Sequence, residues 1–402
     1  MKLGILREGK LPRDRRVPLT PDQCVEVQEK FPGVQVIAQS STVRCFSDEA
    51  YRLAGIPVQE DVTDCDILLG VKEVPVPDLV PGKICFFFSH TIKKQEYNRK
   101  LLQAVLQKNI QLVDYEVLTD RNGFRIIGFG RFAGLVGAYN GLRALGLRNR
   151  IFELKPAHQC EGLEEMLHQL TEINLPPTKI ALTGDGRVAA GAVEVLDFMK
   201  IQRLSPEDFL ETEKPSQPVY TQLLPGDYAK RKDGNIFDLM HFFNHPEMYE
   251  NAFLPFARSA DLLIAAAFWD PKAPVLFTAE EMKRRDFRIR VISDITCDIE
   301  GSIPSTKRAA TIDNPFYDYN PETGETAPPF SSGKNVTVQA VDNLPCELPK
   351  DASFDFGRNL IDKVFPHLLG EDPDGVIDRA SITKNGKLTE RFSYLQDFAE
   401  GK

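Results

Sequence analysis

Within the first third of this 402-residue chain, several short apolar runs stop abruptly at groups able to move protons or hold anions. The run 67–71 ends in Lys72-Glu73, and 84–88 ends in Ser89-His90 with Lys93 just beyond. The run 110–113 ends in Asp114-Tyr115-Glu116, and 3–6 ends in Arg7-Glu8, followed by Arg15 and Arg16. Taken singly, a lysine after a strand is usually solvated and a lone histidine usually satisfies a structural role. Four strands ending alike put these groups on one ligand-facing edge, because ligands of open parallel sheets bind outside the carboxyl ends. Lys72 facing His90 then forms an acid/base pair. Mutual repulsion lowers the proton affinity of both, and Glu73 and Glu116 temper that effect.

A second constellation is Gly184-Asp185-Gly186-Arg187-Val188-Ala189, which follows the apolar run 179–183 and opens a helical one. In such a G-x-G-x-x-A turn the first glycine permits the tight bend and the second lets backbone approach a pyrophosphate. Ala189 is small enough for helix–strand packing, and the helix N-terminus faces the phosphates. These residues predict a bound dinucleotide. The acid expected about 20 residues on, to hold a ribose, is replaced by Ser205. Glu207 or Asp208 is then a substitute, or Arg203 holds a 2′-phosphate, so both NAD and NADP stay open.

Two other patterns carry less. His241 and His245 have zinc-like spacing but lack a glutamate after the first histidine, so no metal site is expected. Cys297 lies beside Asp294 and Asp298 without an evident base and reads as a packed thiol.

The elements that must position these groups alternate between short apolar strands and amphipathic helices, the pattern of βαβ units. Strands are expected at 3–6, 34–38, 67–71, 84–88 and 110–113, with helices at 20–30 and 96–108. A second series has strands at 179–183, 261–266, 288–293 and 336–341, placing Asp294, Asp298 and Asp342 at strand ends, with Asp294 and Asp342 as candidate cofactor-binding residues. Residues 132–148 read as a connecting helix, 351–369 as a further helix, and 381–391 as a hairpin turning on Asn385-Gly386. The expected fold is α/β: two doubly wound, Rossmann-like parallel-sheet domains with an interdomain cleft as the binding site. Domain one is 1–134, completed by 343–402, and 135–342 is the inserted dinucleotide-binding domain. Residues 203–258, rich in charge, proline and aromatics, read as an insertion outside this scheme.

Composition agrees with a globular enzyme: 42% hydrophobic and 27% charged residues. Seven scattered cysteines without a CxxC pair suit reduced thiols in a cytoplasm. The start of the chain lacks a signal-peptide pattern, and no apolar stretch approaches the ~18 residues of a membrane span. A net charge of −9 disfavours nucleic acid as partner and leaves small anionic substrates, held by local arginines.

The motifs Arg16-Val17-Pro18-Leu19-Thr20-Pro21, Gly70-Val71-Lys72-Glu73-Val74-Pro75 and Phe88-Ser89-His90-Thr91-Ile92-Lys93 resemble the saccharopine dehydrogenase and lysine–2-oxoglutarate reductase family. That family sits within the alanine dehydrogenase and transhydrogenase fold group. Asp114-Tyr115-Glu116, the glycine-rich 128–134 and 137–143, Asp294-Ile295-Thr296-Cys297-Asp298, Gly301-Ser302-Ile303 and Val341-Asp342-Asn343-Leu344-Pro345 extend the resemblance along the chain. It implies NAD(P)-dependent, reversible reductive condensation of L-lysine with 2-oxoglutarate. By position, Lys72 and His90 match the family's acid/base pair, and Arg16 and Arg125 its carboxylate holders. Lys93, Glu73 and Glu116 surround them, while Gly184, Gly186 and Arg187 fall on the cofactor loop and Asp342 near the nicotinamide end. Segments 203–258 and 311–330 look closer to the family's reductase branch than to its fungal dehydrogenases. Alternatives are an alanine dehydrogenase-like or opine-type activity on another amino acid and keto acid, and a cofactor-binding sensor without catalysis.

Overall fold

The computed structural model describes residues 1–402 and divides into two compact units. Unit 1 comprises Met1–Phe129 with Pro349–Lys402, and unit 2 comprises Gly130–Leu348. No helix is long and apolar enough to cross a membrane.

Unit 1 is built on a parallel sheet of β1 (Lys2–Ile5), β2 (Gln35–Gln39), β3 (Val58–Gln59), β4 (Ile67–Leu69), β5 (Ile84–Phe87) and β6 (Gln111–Asp114). Their order in space is β3, β2, β1, β4, β5, β6. The chain therefore reverses direction across the sheet between β1 and β4, the place where such sheets open a crevice. The strands read as unbroken apolar runs because both faces are covered, by one buried cluster containing Leu3, Ile5, Leu69 and Phe86 and another containing Leu68, Cys85, Phe87 and Leu112. Each such side chain, fully buried, contributes about 1.5–3 kcal/mol.

Helix α1 (Pro21–Lys30) starts where Thr20 predicts. Thr20 Oγ1 accepts the Gln23 N–H at 3.3 Å, Gln23 Oε1 accepts the Thr20 N–H at 3.0 Å, and proline holds the first helical position. Helix α2 is Asp48–Leu53 and α3 is Arg99–Gln107. The helix Pro349–Lys363 docks on unit 1 through Ser353, whose Oγ accepts the Val17 N–H at 2.9 Å, and through Phe356, stacked on Phe129 at 4.4 Å. The hairpin forms with Asn385 and Gly386 both at positive φ, as an Asn-Gly turn requires.

Unit 2 begins with α4 (Gly130–Asn149), followed by α5 (Leu163–Gln169), β7 (Lys179–Thr183) and α6 (Arg187–Phe198). Then come β8 (Gln202–Leu204), α7 (Pro206–Glu211), β9 (Val219–Leu223), the hairpin of β10 (Ala229–Arg231) and β11 (Tyr249–Asn251), β12 (Leu262–Ala265) and β13 (Val291–Asp294). The unit closes with β14 (Phe316–Tyr319), β15 (Thr326–Ala327) and β16 (Val336–Gln339). The sheet order is β15, β14, β16, β13, β12, β7, β9, β8. It is parallel except for β14, which runs antiparallel to both β16 and β15.

Three features differ from the sequence expectation. The units divide at 129/130 and 348/349 rather than 134/135 and 342/343, because α4 packs along its whole length in unit 2. A Cβ on Gly134 would lie 1.8 Å from Val188 O, and one on Gly191 2.0 Å from Arg131 O. The two helices thus touch backbone to backbone. The β14–β15 edge went unread, being a short Tyr-rich stretch without apolar periodicity. Most important, 203–258 is no insertion outside the sheet. It supplies β9, which lies between β7 and β8.

Candidate functional site

In unit 1 the carboxyl ends of β1, β4, β5 and β6 bring together the polar groups that follow them. Glu8, after β1, reaches across the reversal point. Its Oε1 accepts the Val71 N–H at 2.6 Å and its Oε2 accepts the Lys72 N–H at 2.8 Å. The backbone carrying Lys72 is thereby clamped to the first strand. Burial, and then the charge of Asp14, push the Glu8 carboxyl up to about 8. Lys72 is half-buried and makes no ion pair. Burial and then the like charge of Arg16 lower its affinity for a proton.

His90 sits in the left-handed region at φ 54°, which histidine tolerates better than most residues. The turn is held from β6: Asp114, fully buried, accepts the Ser89 N–H at 2.9 Å and the Ser89 hydroxyl at 2.5 Å. His90 Nδ1 lies 2.8 Å from Glu73 Oε1, and Lys10 Nζ lies 2.7 Å from the same oxygen and 2.6 Å from Oε2. Burial pushes Glu73 up, but the hydrogen bonds from His90 and Lys10 outweigh it and hold the carboxyl at about 2. An ionised carboxylate only accepts, so Nδ1–H donates to it and Nε2 is the nitrogen that can exchange a proton with a ligand.

Arg16 is buried and forked onto Asp14, with Nε 3.0 Å from Oδ1 and Nη2 2.6 Å from Oδ2. Its guanidinium also lies 4.1 Å from the Phe129 ring centre, and that of Arg125 5.2 Å from Phe88. Phe88, Phe129, Tyr115 and Phe356 form one aromatic cluster, so both arginines lean on a common rigid support. Arg125 Nε donates to Ile127 O at 2.9 Å. Lys93 and Glu116 pair with each other at 3.2 Å on the more open side. Glu8, Lys10, Asp14 and Asp114 thus support the site; the sequence placed Glu8 and Asp114 at strand ends and pointed to neither Lys10 nor Asp14.

In unit 2 the sheet reverses between β7 and β12, and the glycine turn stands there. Gly184 has φ 94°, and a Cβ on it would come 3.0 Å from Ala267 Cα. Gly186 differs: a Cβ there meets nothing of the protein within 4 Å, and no side chain caps the helix it starts. Ala189 is fully buried, and Arg187 is the exposed first residue of α6. A turn whose second glycine is not required by packing, beside uncapped N–H groups, fits a pyrophosphate. Asp294 is spent internally. It accepts the Thr296 hydroxyl at 2.7 Å, the Thr306 hydroxyl at 2.5 Å and the Cys297 N–H at 3.2 Å, and so organises the turn that follows β13. Asp342 is exposed after β16. Cys297 has its thiol 3.1 Å from Ala340 O and pushed up to about 12 by burial and then Asp294, so it is a packed thiol. His241 bonds Tyr249, and no group of three or more His, Cys, Asp or Glu residues could hold a metal ion.

The family model described as alanine dehydrogenase/PNT, N-terminal domain, matches residues 4–136. The match takes in the strands of unit 1 and the start of α4, hence Lys72, His90, Arg16, Arg125 and the carboxylates around them. The resemblance to the saccharopine dehydrogenase family is borne out by curated relatives. The mitochondrial alpha-aminoadipic semialdehyde synthase of Mus musculus is 29% identical over 447 aligned residues, covering 100% of this chain and 48% of that protein. The Arabidopsis thaliana enzyme of that name is 29% identical over 98% of this chain and 41% of its own length. The chain therefore spans about half the length of these relatives. A saccharopine dehydrogenase [NAD(+), L-lysine-forming] of Emericella nidulans is 26% identical and covers 89% of each chain. Among solved structures, an L-alanine dehydrogenase superposes with TM-score 0.66 at 17% identity over 100% of this chain and 99% of that one. The transhydrogenase of Sinorhizobium meliloti gives 0.59 at 14% identity, over 97% and 99%. At these identities the agreement is one of fold.

Proposed function

We propose that the chain is an NAD(P)-dependent oxidoreductase acting on carbon–nitrogen bonds, joining L-lysine and 2-oxoglutarate reductively to saccharopine and reversing that reaction. The observation that carries this reading is the charge chain Lys10–Glu73–His90, set beside a Lys72 whose backbone Glu8 fixes and whose ammonium is unpaired. The relatives' names supply the substrate class.

Lys72, disposed toward its neutral form, accepts a proton at Nζ from the attacking substrate amine. His90 delivers a proton from Nε2 to the carbinolamine hydroxyl, which departs as water and leaves a protonated imine between the two substrates. Glu73 keeps the imidazole in the required tautomer and orientation. Arg16 and Arg125, braced on the aromatic cluster, supply the planar cations that suit carboxylates. The glycine turn and the start of α6 would hold the nucleotide's pyrophosphate. The nicotinamide, when bound, supplies or takes the hydride.

Absorbance of the reduced cofactor tests the reading. Oxidation of NADH or NADPH is expected with lysine plus 2-oxoglutarate and not with ammonia plus pyruvate. The reverse result sinks the saccharopine assignment in favour of an alanine dehydrogenase-like one. Tight nucleotide binding without turnover on any such pair points to a sensor.

A further inference from the structure

In a dinucleotide-binding sheet the residue that holds the adenosine ribose stands at the end of the strand beside the glycine-turn strand. Along the chain, the first strand after α6 is β8, which led to Ser205, Glu207, Asp208 and Arg203. In space, β8 is not beside β7. The register runs Ile180 against Tyr220 and Tyr220 against Arg203, so β9 occupies that place and β8 is the outer edge.

The geometry at the edge sets Arg203 back from the glycine turn and occupies Ser205 and Asp208 elsewhere. Leu204 is level with Thr221 and Ala181, whereas β9 continues to Leu223, level with Thr183. Arg203 lies level with Ile180, which is about 10 Å short of the β7 carboxyl end at the usual strand rise. Ser205 and Asp208 are committed to each other: the Ser205 hydroxyl donates to Asp208 Oδ2 at 2.8 Å and accepts the Asp208 N–H at 3.0 Å, capping α7.

The end of β9, by contrast, is bonded to the glycine turn directly. Gly184 N–H donates to Leu223 O at 2.8 Å, and Gln222 Nε2 donates to Gly184 O at 2.8 Å. Beyond it the chain turns through Pro225 and Gly226 to Asp227, whose Oδ2 accepts the Leu224 N–H at 2.7 Å. Tyr228 follows, with Asp185 of the glycine turn and Asp227 as its charged neighbours. Asp185 is exposed and Asp227 half-buried.

We propose that the carboxyl end of β9, through Asp227 together with Asp185 of the glycine turn, reads the adenosine ribose and makes the protein select NAD over NADP. This rests on the reading of the glycine turn as a nucleotide site. A ribose 2′-hydroxyl can donate to a carboxylate, whereas a 2′-phosphate brings like charge against it. Arg187 heads α6, next to Gly186.

Titration calorimetry with NAD+ and NADP+, in the absence of other substrates, tests the proposal. Wild-type protein is expected to bind NAD+ at least about tenfold more tightly. Asp227→Asn keeps an acceptor for the Leu224 N–H but removes the charge, and is expected to shrink that ratio several-fold. Asp185→Asn, on an exposed turn, is expected to do the same to a smaller extent and serves if Asp227→Asn fails to fold. Arg203→Ala is expected to leave both affinities unchanged. Tighter binding of NADP+ by the wild type, or a ratio that follows Arg203 and ignores both aspartates, overturns the proposal while leaving the nucleotide site standing. Binding of neither nucleotide overturns the nucleotide site itself, and the proposal with it.

Discussion

Lys72 and Glu73 are neighbours in sequence with opposite electrostatic fates. Burial and Arg16 make the lysine give up its proton more readily, while His90 and Lys10 hold the glutamate ionised. Lys72→Met keeps the length of the side chain and removes the titrating group. It is expected to lower turnover by about 10²–10⁴ and leave nucleotide affinity unchanged; unaltered turnover removes Lys72 from the chemistry. Glu73 carries a pH signature. Its carboxyl falls from an ordinary 4.5 to about 2 on folding, so its contribution to stability is present above 4.5 and fades as pH drops toward 2. Glu73→Gln is therefore expected to melt well below wild type at pH 7, with the gap closing by pH 2–3 in thermal scans. A gap that is constant with pH contradicts the ion-pair account. At this scale the sequence was partly legible. Lys72 and His90 announce themselves because nothing apolar explains them at strand ends. The partners of Asp294 were not legible, since its position gives no hint that Thr296, Thr306 and Cys297 bond its oxygens.

At the scale of elements, the α4–α6 contact and the glycine turn use glycine for opposite reasons, and paired substitutions separate them. Gly134→Ala drives a methyl into Val188 O and is expected to cost about 3 kcal/mol, read as a lowered midpoint in denaturant. Gly186→Ala meets no protein atom, so the midpoint is expected to stay put while nucleotide affinity drops at least about tenfold. Retained affinity in Gly186→Ala removes the pyrophosphate from that turn. The strands of unit 1 were readable because parallel strands covered on both faces are uniformly apolar, as β4 and β5 are. Thr20 fixed the start of α1 through a capping pair written in four consecutive residues. Strand β9 was not readable. Val219-Tyr220-Thr221-Gln222-Leu223 mixes polar and apolar residues, and no sequence pattern tells a chain to return between two strands already laid down.

For the molecule as a whole, unit 2 is one continuous stretch, whereas unit 1 needs both ends of the chain. Residues 130–348 alone are expected to melt cooperatively and bind nucleotide. A chain ending at 348 leaves the Val17 N–H without Ser353 and strips Phe356 from the aromatic cluster under Arg16 and Arg125. It is expected to show no cooperative melting of unit 1 by circular dichroism; a transition equal to that of the full chain rejects this. The strand order of unit 2 also constrains how the chain reaches its native state. After β7 and α6 the growing chain arrives at β8 with no neighbour to pair with, since the gap between β7 and β8 is filled only when β9 arrives. A β7–α6–β8 fragment is thus no stable stepping stone. The rate-limiting step has to gather Lys179–Leu223 at once, and truncating Val219 or Leu223 is expected to slow refolding more than it speeds unfolding.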